Sequence, residues 1–322
     1  MPRANYVDFP GGDEFGACNP LWVPSGFSDD TLRAHFISMK AAGLDWVRHD
    51  FCWSYIQPTS KDSWQWTNYD RFVAIANECD IKILALFNHA PRWAWVDPDD
   101  GSTTNMPRDR DQFVAFVTAT VQRYTPLGVD HWEIWNEPNL RTRWTAANYA
   151  YYVIVSYRAI KDINPSATVL AGPSAGNNQV QFLRDMYDQT HVEGYFDALT
   201  AHPYNILWRN LPALHQVMSE HGDGAKKIWL TEYGAPTDGA EGQNMVTEAR
   251  QAIDMSVAVR SARHTSFLGP LFFYCWKDRE AYSYPGTKDR EMYFGVVHSD
   301  LTPKPSYHAI RRAIKRVTYL RP

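Results

Sequence analysis

The chain has 322 residues, of which 44% are hydrophobic and 21% charged, and its formal net charge is −4. This composition is typical of a globular protein with a sizeable core, and the weak acidity argues against nucleic acid or a membrane surface as a partner. Aromatic residues make up 14% of the chain. Their abundance predicts either a large aromatic core or a cleft whose rings stack on sugar or base faces.

The ends of the chain and its cysteines carry little information about location. The opening residues, MPRANYVDFPGGDEFG, contain no apolar stretch of signal-peptide length, and no run elsewhere is long enough to span a bilayer. We therefore expect a soluble chain, for which a cytoplasmic location and secretion after loss of a leader both remain open. Four cysteines fit neither a metal motif nor a compact disulfide framework and are interpreted as buried thiols: Cys18, Cys52, Cys79 and Cys275.

Short apolar runs alternate with helical periodicity along the whole sequence. The predicted strands cover 15–22, 45–53, 81–90, 131–140, 168–172, 196–204, 227–233 and 270–276. Apolar residues at helical spacing, such as Leu32, Phe36 and Met39, predict a helix after each run, and Gly43 is a predicted C-cap of the first. Thr145 is a predicted N-cap.

Eight strand–helix pairs predict an α/β protein with a single (β/α)8 TIM barrel. The strand runs are continuously apolar, which indicates a parallel sheet buried on both faces, and eight such pairs in a chain of this length favour a closed barrel. The sequence contains no repeat, linker or low-complexity stretch. We therefore predict one catalytic domain over 1–322.

Polar residues cluster where the apolar runs stop. Active sites of such barrels lie at the carboxyl ends of the strands, so these residues are the candidates for a functional site. They are Arg48, Trp53, Asn88, His89, Asn136, Glu137, His202, Tyr204, Glu232, Tyr233 and Trp276.

The fourth run, HWEIWNEPNL at 131–140, carries two acids beside two tryptophans. In a regular strand the side chains alternate, so Glu133, Trp135 and Glu137 are expected on one face. The opposite face would then hold Trp132, Ile134 and Asn136. Glu133 lies deeper along the strand and is interpreted as a paired structural acid, because buried polar groups need partners.

Glu137 and Glu232 are expected to face each other across the barrel mouth, on the fourth and seventh strands. Two facing carboxyl groups are the apparatus of glycoside hydrolysis. One of them has to be a protonated acid near neutral pH, and the other has to be ionised, so their surroundings must separate the two pKa values.

Several motifs resemble the clan A glycoside hydrolases. WNEPN at 135–139 resembles the acid/base motif of this clan, and LTEYG at 230–234 is similar to its nucleophile motif. FNHAPRWA at 87–94, AHPY at 201–204 and FGVVHSDLTPKPSY at 294–307 resemble family 39 and its relatives. The resemblance extends over nearly the whole chain.

The resemblance implies a retaining glycoside hydrolase that cleaves O-glycosidic bonds in a poly- or oligosaccharide by double displacement, without metal or cofactor. Glu137 would be the acid/base and Glu232 the nucleophile, with the carboxyl groups roughly 5 to 5.5 Å apart. Arg48 would pair with Glu232, and Tyr204 or His202 would orient it. The implied substrate-binding residues are Arg48, Trp53, His89, Asn136, His202, Tyr204 and Trp276, with Asn136 on the sugar 2-hydroxyl and Trp276 as an aromatic floor.

Two alternatives remain from the residues alone. A metal-dependent sugar-processing barrel would use Glu137, His202 and Glu232 as ligands of a divalent ion, although no His-x-His pair ends the first strand. A glycan-binding barrel without catalysis would be marked by loss of one glutamate, and both are present. The motifs leave open the sugar, the linkage, exo or endo action, and the oligomeric state.

Overall fold

The computed structural model describes residues 11–18, 28–96, 106–141, 144–172, 175–279 and 289–315, without the side chains of 206 and 207. Eight parallel strands follow one another in chain order around a closed barrel, in which β1 pairs with both β2 and β8. The strands are β1 Phe15–Cys18, β2 Trp46–Cys52, β3 Lys82–Asn88, β4 His131–Ile134, β5 Thr168–Ala171, β6 Ala198–Ala201, β7 Lys227–Tyr233 and β8 Leu268–Phe273. The predicted (β/α)8 barrel is confirmed.

Helices surround the barrel and follow the predicted periodicity. Within the described residues they are α1 Asp29–Ala42, α2 Trp53–Ile56, α3 Thr67–Glu78, α4 Arg110–Tyr124, α5 Ala146–Ile163, α6 Gln179–Thr190, α7 Leu211–Glu220, α8 Glu248–His264 and α9 Pro305–Lys315. Gly43 ends α1 with a φ of 95°, and the Thr145 side chain caps α5 by accepting from the Asn148 N–H, as predicted. None of the helices in these ranges is both long and apolar enough to cross a membrane.

The described residues form two separate hydrophobic clusters that stabilise the barrel. The larger one packs the helices against the outer face of the sheet. The smaller one includes Trp46, Trp229 and Phe272, with the Trp46 and Trp229 ring centroids 5.7 Å apart. Gly16 has to lack a side chain here, because a Cβ atom would lie 2.7 Å from the Phe272 ring. Since strand side chains alternate, Arg48 and Thr231, two residues beyond Trp46 and Trp229, point into the same interior, nearer the carboxyl ends.

Several strands end earlier than the apolar runs suggested. The fourth ends at Ile134 rather than residue 140, and the sixth covers only Ala198–Ala201. The polar residues that follow lie on the connecting segments at the barrel mouth. The predicted continuation of the first strand over 19–22 lies outside the described residues.

Candidate active site

A cavity of about 570 Å³ opens at the carboxyl ends of the strands. Six of the substrate-binding and catalytic candidates line it: Arg48, His89, Asn136, Glu137, Tyr204 and Glu232. His202 is fully buried, and its Nδ1 atom contacts both glutamates, at 2.8 Å from Glu137 Oε1 and 3.5 Å from Glu232 Oε2. The candidates from the second, third, fourth, sixth and seventh strands are therefore brought together in one cluster.

The backbone after β4 brings two consecutive side chains into this cavity. Trp135 and Glu137 have φ angles of 64° and 48°, in the left-handed region that non-glycine residues seldom occupy. The regular alternation therefore stops at Ile134, and the expectation that Trp135 shares a face with Glu133 is wrong. Its ring packs outside the barrel, 4.9 Å from the Trp144 ring, while Asn136 and Glu137 both reach the cavity.

An irregularity in β7 has a similar effect. The pairing of β7 with β8 shifts register between Leu230 and Tyr233. Such bulges re-aim side chains. As a result the side chains of Thr231 and Glu232, which are adjacent in sequence, both point to the inside of the barrel. Thr231 Oγ1 donates to Glu133 at 3.2 Å, and Glu232 lines the cavity.

Glu232 is held by two hydrogen-bond donors. Arg48 Nη1 donates to Oε1 at 2.7 Å, and the Tyr204 hydroxyl donates to Oε2 at 2.8 Å. Burial, reinforced by the neighbouring Glu232 charge, raises the pKa of Tyr204 well above its usual range, so this phenol keeps its proton and remains a donor. The two contacts therefore fix both oxygens of the Glu232 carboxyl group in the cavity.

Arg48 also forms a buried ion pair that the sequence did not reveal. Its Nε and Nη2 atoms donate to the two oxygens of Glu133 at 2.6 and 3.1 Å, and Nη2 donates to Asn136 Oδ1 at 2.8 Å. Burial lowers the pKa of Arg48, but Glu133 and Glu232 outweigh it and hold that pKa well above the usual value. Arg48 therefore pairs with Glu133 as well as with Glu232.

Glu137 forms its side-chain hydrogen bond with His202. Burial raises the pKa of Glu137, but the hydrogen bond and charge of His202, with the charges of Arg141 and Arg48, outweigh burial and leave this pKa below its ordinary value. His202 Nε2 meets Thr231 Oγ1 at 3.1 Å on its other side. The carboxyl group expected to keep its proton near neutral pH is therefore not found at Glu137.

Two of the predicted aromatic contacts lie elsewhere. Trp53 is fully buried in α2, stacks on Phe116 at 5.3 Å and donates to Gln57. Trp276 is 1% exposed and packs near Tyr307 of α9. Neither ring lines the cavity, because each is needed to fill the space between the barrel and its helices.

Other cavity-lining residues were not selected from the sequence. They include Asp50, Arg141, Tyr274, Glu291 and Phe294. Asp50 falls inside the second apolar run, and a charged residue in such a run could have marked it as a candidate for the site. The others belong to connecting segments, in which no periodicity indicates direction, so only the folded chain shows that they reach the cavity.

Among the described residues, two clusters have the donor atoms for a metal ion, each with its atoms within 4.8 Å of one another. They are Glu137, His202 and Glu232, and Asp50, Cys52 and His89. In the first cluster the Arg48 guanidinium lies 2.7 Å from Glu232, and its positive charge disfavours a divalent cation there. Among the cysteines, Cys18, Cys52 and Cys275 are buried free thiols, while Cys79 is only partly buried.

Residues 13–255 match the family model for cellulases, described as glycosyl hydrolase family 5. The chain belongs to this family. The match covers well over half of the sequence and confirms the clan A glycoside hydrolase expected from the WNEPN and LTEYG motifs. No curated protein sequence matches this family 5 chain.

Solved structures of similar fold include further glycoside hydrolases. A family 39 glycoside hydrolase from Bacteroides cellulosilyticus WH2 is 22% identical with a TM-score of 0.73, over 96% of this chain and 64% of that one. A monomeric β-xylosidase from Caulobacter crescentus CB15 is 17% identical with a TM-score of 0.72, over 95% and 68%. GH5_18 from Streptomyces cattleya in complex with GlcNAc is 14% identical with a TM-score of 0.69, over 97% and 82%. At these identities the similarity is one of fold, and the family 5 chain spans less than two thirds of the first protein.

Proposed function

We propose that this family 5 protein is a retaining glycoside hydrolase that cleaves O-glycosidic bonds in a poly- or oligosaccharide, with Glu137 as acid/base and Glu232 as nucleophile. One observation carries the proposal: a Glu137 oxygen lies within 4.8 Å of a Glu232 oxygen across the cavity. Retaining enzymes hold their carboxyl groups about 5 to 5.5 Å apart, whereas inverting enzymes need about 6.5 to 9.5 Å to admit a water molecule.

In the first step Glu232 attacks the anomeric carbon while the glycosidic C–O bond breaks. Arg48 and Tyr204 hold the attacking carboxylate in position, since both donate to it. The leaving oxygen takes a proton from Glu137. The products are the free leaving group and a glycosyl ester on Glu232.

The proton for the leaving group comes from the short contact between Glu137 and His202. His202 Nδ1 and Glu137 Oε1 are 2.8 Å apart, and the proton held between them reaches the leaving oxygen through Glu137 as the glycosidic bond breaks. In the second step Glu137 removes a proton from water, which attacks the anomeric carbon and releases Glu232. That proton returns to the contact between Glu137 and His202, which is then ready for the next turnover.

Sugar binding falls to the residues around these two acids. Asn136 Oδ1 accepts from Arg48, which orients the amide nitrogen of Asn136 as a donor for a sugar hydroxyl. His89 lines the cavity beside Asp50, with its Nε2 atom 3.8 Å from Asp50 Oδ2. These polar residues all line the cavity, as expected of a carbohydrate site.

The first experiment measures turnover of a panel of aryl glycosides and polysaccharides with EDTA present, for wild type, Glu232→Ala and the partly exposed control Glu248→Ala on α8. We expect wild-type and control turnover, and a loss of at least about 10⁴-fold for Glu232→Ala because the nucleophile is gone. Azide should restore Glu232→Ala and give a glycosyl azide of inverted configuration. Loss of wild-type turnover in EDTA, regained with a divalent metal, would instead support the metal-dependent barrel.

A second experiment assigns the role of Glu137. Glu137→Ala should retain activity on glycosides with acidic phenol leaving groups and lose about 10²- to 10⁴-fold on alkyl glycosides, which need protonation. The measurement is kcat/KM against leaving-group pKa. Equal losses across the series would contradict the assignment of the two roles, and glycan binding without any turnover by the wild type would support the binding barrel.

A further inference from the structure

Glu133 lies deeper in the barrel than the two proposed catalytic carboxyl groups and is connected to both. It is fully buried on β4. Its Oε2 atom accepts from Arg48 Nε at 2.6 Å, and its Oε1 atom accepts from Arg48 Nη2 at 3.1 Å and from Thr231 Oγ1 at 3.2 Å. A buried carboxylate is tolerated only with such full pairing.

One branch of this network leads to the nucleophile. The guanidinium group is a rigid planar fork, so once Nε and Nη2 are seated on Glu133, the direction of Nη1 is fixed. Nη1 then donates to Glu232 at 2.7 Å. Glu133 also shares the positive charge of Arg48, which would otherwise act on Glu232 alone and make that carboxylate a weaker nucleophile.

The other branch leads to the acid/base. The Thr231 hydroxyl gives its hydrogen to Glu133, so its oxygen is left to accept a hydrogen bond from His202 Nε2. With a hydrogen on Nε2, the remaining proton of the pair lies between His202 Nδ1 and Glu137 Oε1, which are 2.8 Å apart. Glu133 therefore determines that Nε2 of His202 carries a hydrogen and that the shared proton lies on the Nδ1 side, which faces Glu137.

We propose that Glu133 is a positioning residue, which aims the nucleophile through Arg48 and fixes the tautomer beside the acid/base through Thr231 and His202. This proposal rests on the proposed hydrolase function. Further charged or titratable groups act on the same carboxyl groups: Cys18, His202, Tyr204 and Tyr274 on Glu232, Arg48 and Arg141 on Glu137, and Tyr149 near Glu133. They are unchanged in the variants below.

The kinetic test uses the full chain and the aryl glycosides turned over by the wild type, with Glu133→Gln, Thr231→Val and Thr231→Ser. Glu133→Gln should lower kcat about 100-fold, the effect of misplacing a reacting group by about 1 Å. Its acidic pH limit should move to lower pH, because Arg48 then acts undivided on Glu232. Thr231→Val should lose activity only with poor leaving groups and shift the basic limit, and Thr231→Ser should restore both.

A purely structural Glu133 would behave differently. Both Glu133→Gln and Thr231→Val would then lower the melting temperature, while kcat per folded molecule and both pH limits stayed at wild-type values. That outcome would overturn the proposal. The Thr231 pair keeps the test valid if Glu133→Gln does not fold, since valine has the shape of threonine and leaves the Arg48–Glu133 ion pair in place.

A spectroscopic measurement separates this proposal from the proposed function. Nitrogen-15 NMR of the His202 imidazole, assigned with His202→Gln, requires no turnover. The wild type should carry a hydrogen on His202 Nε2. In Glu133→Gln the glutamine amide donates to the Thr231 hydroxyl, which then donates to Nε2. The direction of the hydrogen bonds is reversed, and the hydrogen of His202 should shift towards Nδ1. An unchanged His202 signal would refute the positioning role. If the His202 signal changes in Glu133→Gln but the wild type has no glycosidase activity, the positioning network is supported and the hydrolase function is refuted.

Discussion

Glu133, Glu137 and Glu232 have the same side chain, and their different neighbours give each of them a different chemical role. Glu133 is neutralised by Arg48 at the bottom of the site, Glu232 receives hydrogen bonds from Arg48 and Tyr204, and Glu137 shares a proton with His202. The difference needed between an attacking carboxylate and a proton donor therefore comes from which cation each acid contacts.

The charge of Arg141 provides a test at this scale. Arg141 is one of the groups that hold the pKa of Glu137 below its usual value. Arg141→Gln should raise that pKa, so Glu137 keeps its proton to higher pH and the basic limit of kcat/KM moves upward. The matched control is Arg184→Gln on α6, whose arginine pairs with Glu220. A basic limit that stayed in place or moved downward would show that Arg141 has no influence on the acid/base.

At the scale of elements, the segment after β4 combines a core anchor with the active site. Trp135 is 1% exposed and packs against Trp144 and Phe113, while the next two residues line the cavity. The left-handed backbone at 135 and 137 costs free energy. Burial of the Trp135 ring compensates for this cost and fixes the direction in which Asn136 and Glu137 leave the strand.

Trp135→Ala should therefore damage activity as well as stability. We expect a loss of about 3–5 kcal/mol in the free energy of unfolding, as for other buried aromatic truncations, and a fall in kcat per folded molecule because Glu137 is no longer held. Phe116→Ala, in the core of α4 against Trp53, is the control with a similar stability loss. Urea unfolding and kcat normalised to folded protein measure the two effects. Equal retention of kcat in both variants would contradict the anchoring role.

At the scale of the whole molecule, buried histidines make the fold sensitive to acid. Burial lowers the pKa of His35 to about 4, aided by Lys277, and burial likewise lowers the pKa of His49 to about 4. Between this value and the ordinary 6.5 the unfolded chain binds protons that the folded chain does not. Stability is therefore complete above about pH 6.5 and falls as the pH decreases towards 4.

His35→Leu should reduce this dependence. Both ring nitrogens of His35 lack a hydrogen-bond partner within the described structure, so leucine loses no bond there. The wild type should lose about 2 kcal/mol more than the variant between pH 7 and pH 5, from the His35 pKa difference. Urea unfolding at the two pH values gives the comparison. Parallel pH profiles for both proteins would show that His35 is charged in the folded state.

The barrel and its helices were predictable because their signal is local. Apolar runs of strand length, helical spacing and caps such as Gly43 and Thr145 depend on residues close together in the chain. The ends of the strands were less predictable. Nothing in the sequence marks the left-handed backbone after Ile134 or the register shift after Leu230, which exist because tertiary packing compensates for them.

The sequence by itself determined the fold class, the family and the two candidate acids, because these follow from periodicity and from short motifs. Only the tertiary structure decided which side chains meet. It gave Arg48 a second partner in Glu133, placed His202 where it lowers the pKa of Glu137, and placed Trp53 and Trp276 in the core. The physical reason is that hydrogen bonding and charge depend on distances across the barrel, between residues 85 to 184 positions apart in the chain for the contacts of Arg48 with Glu133 and Glu232.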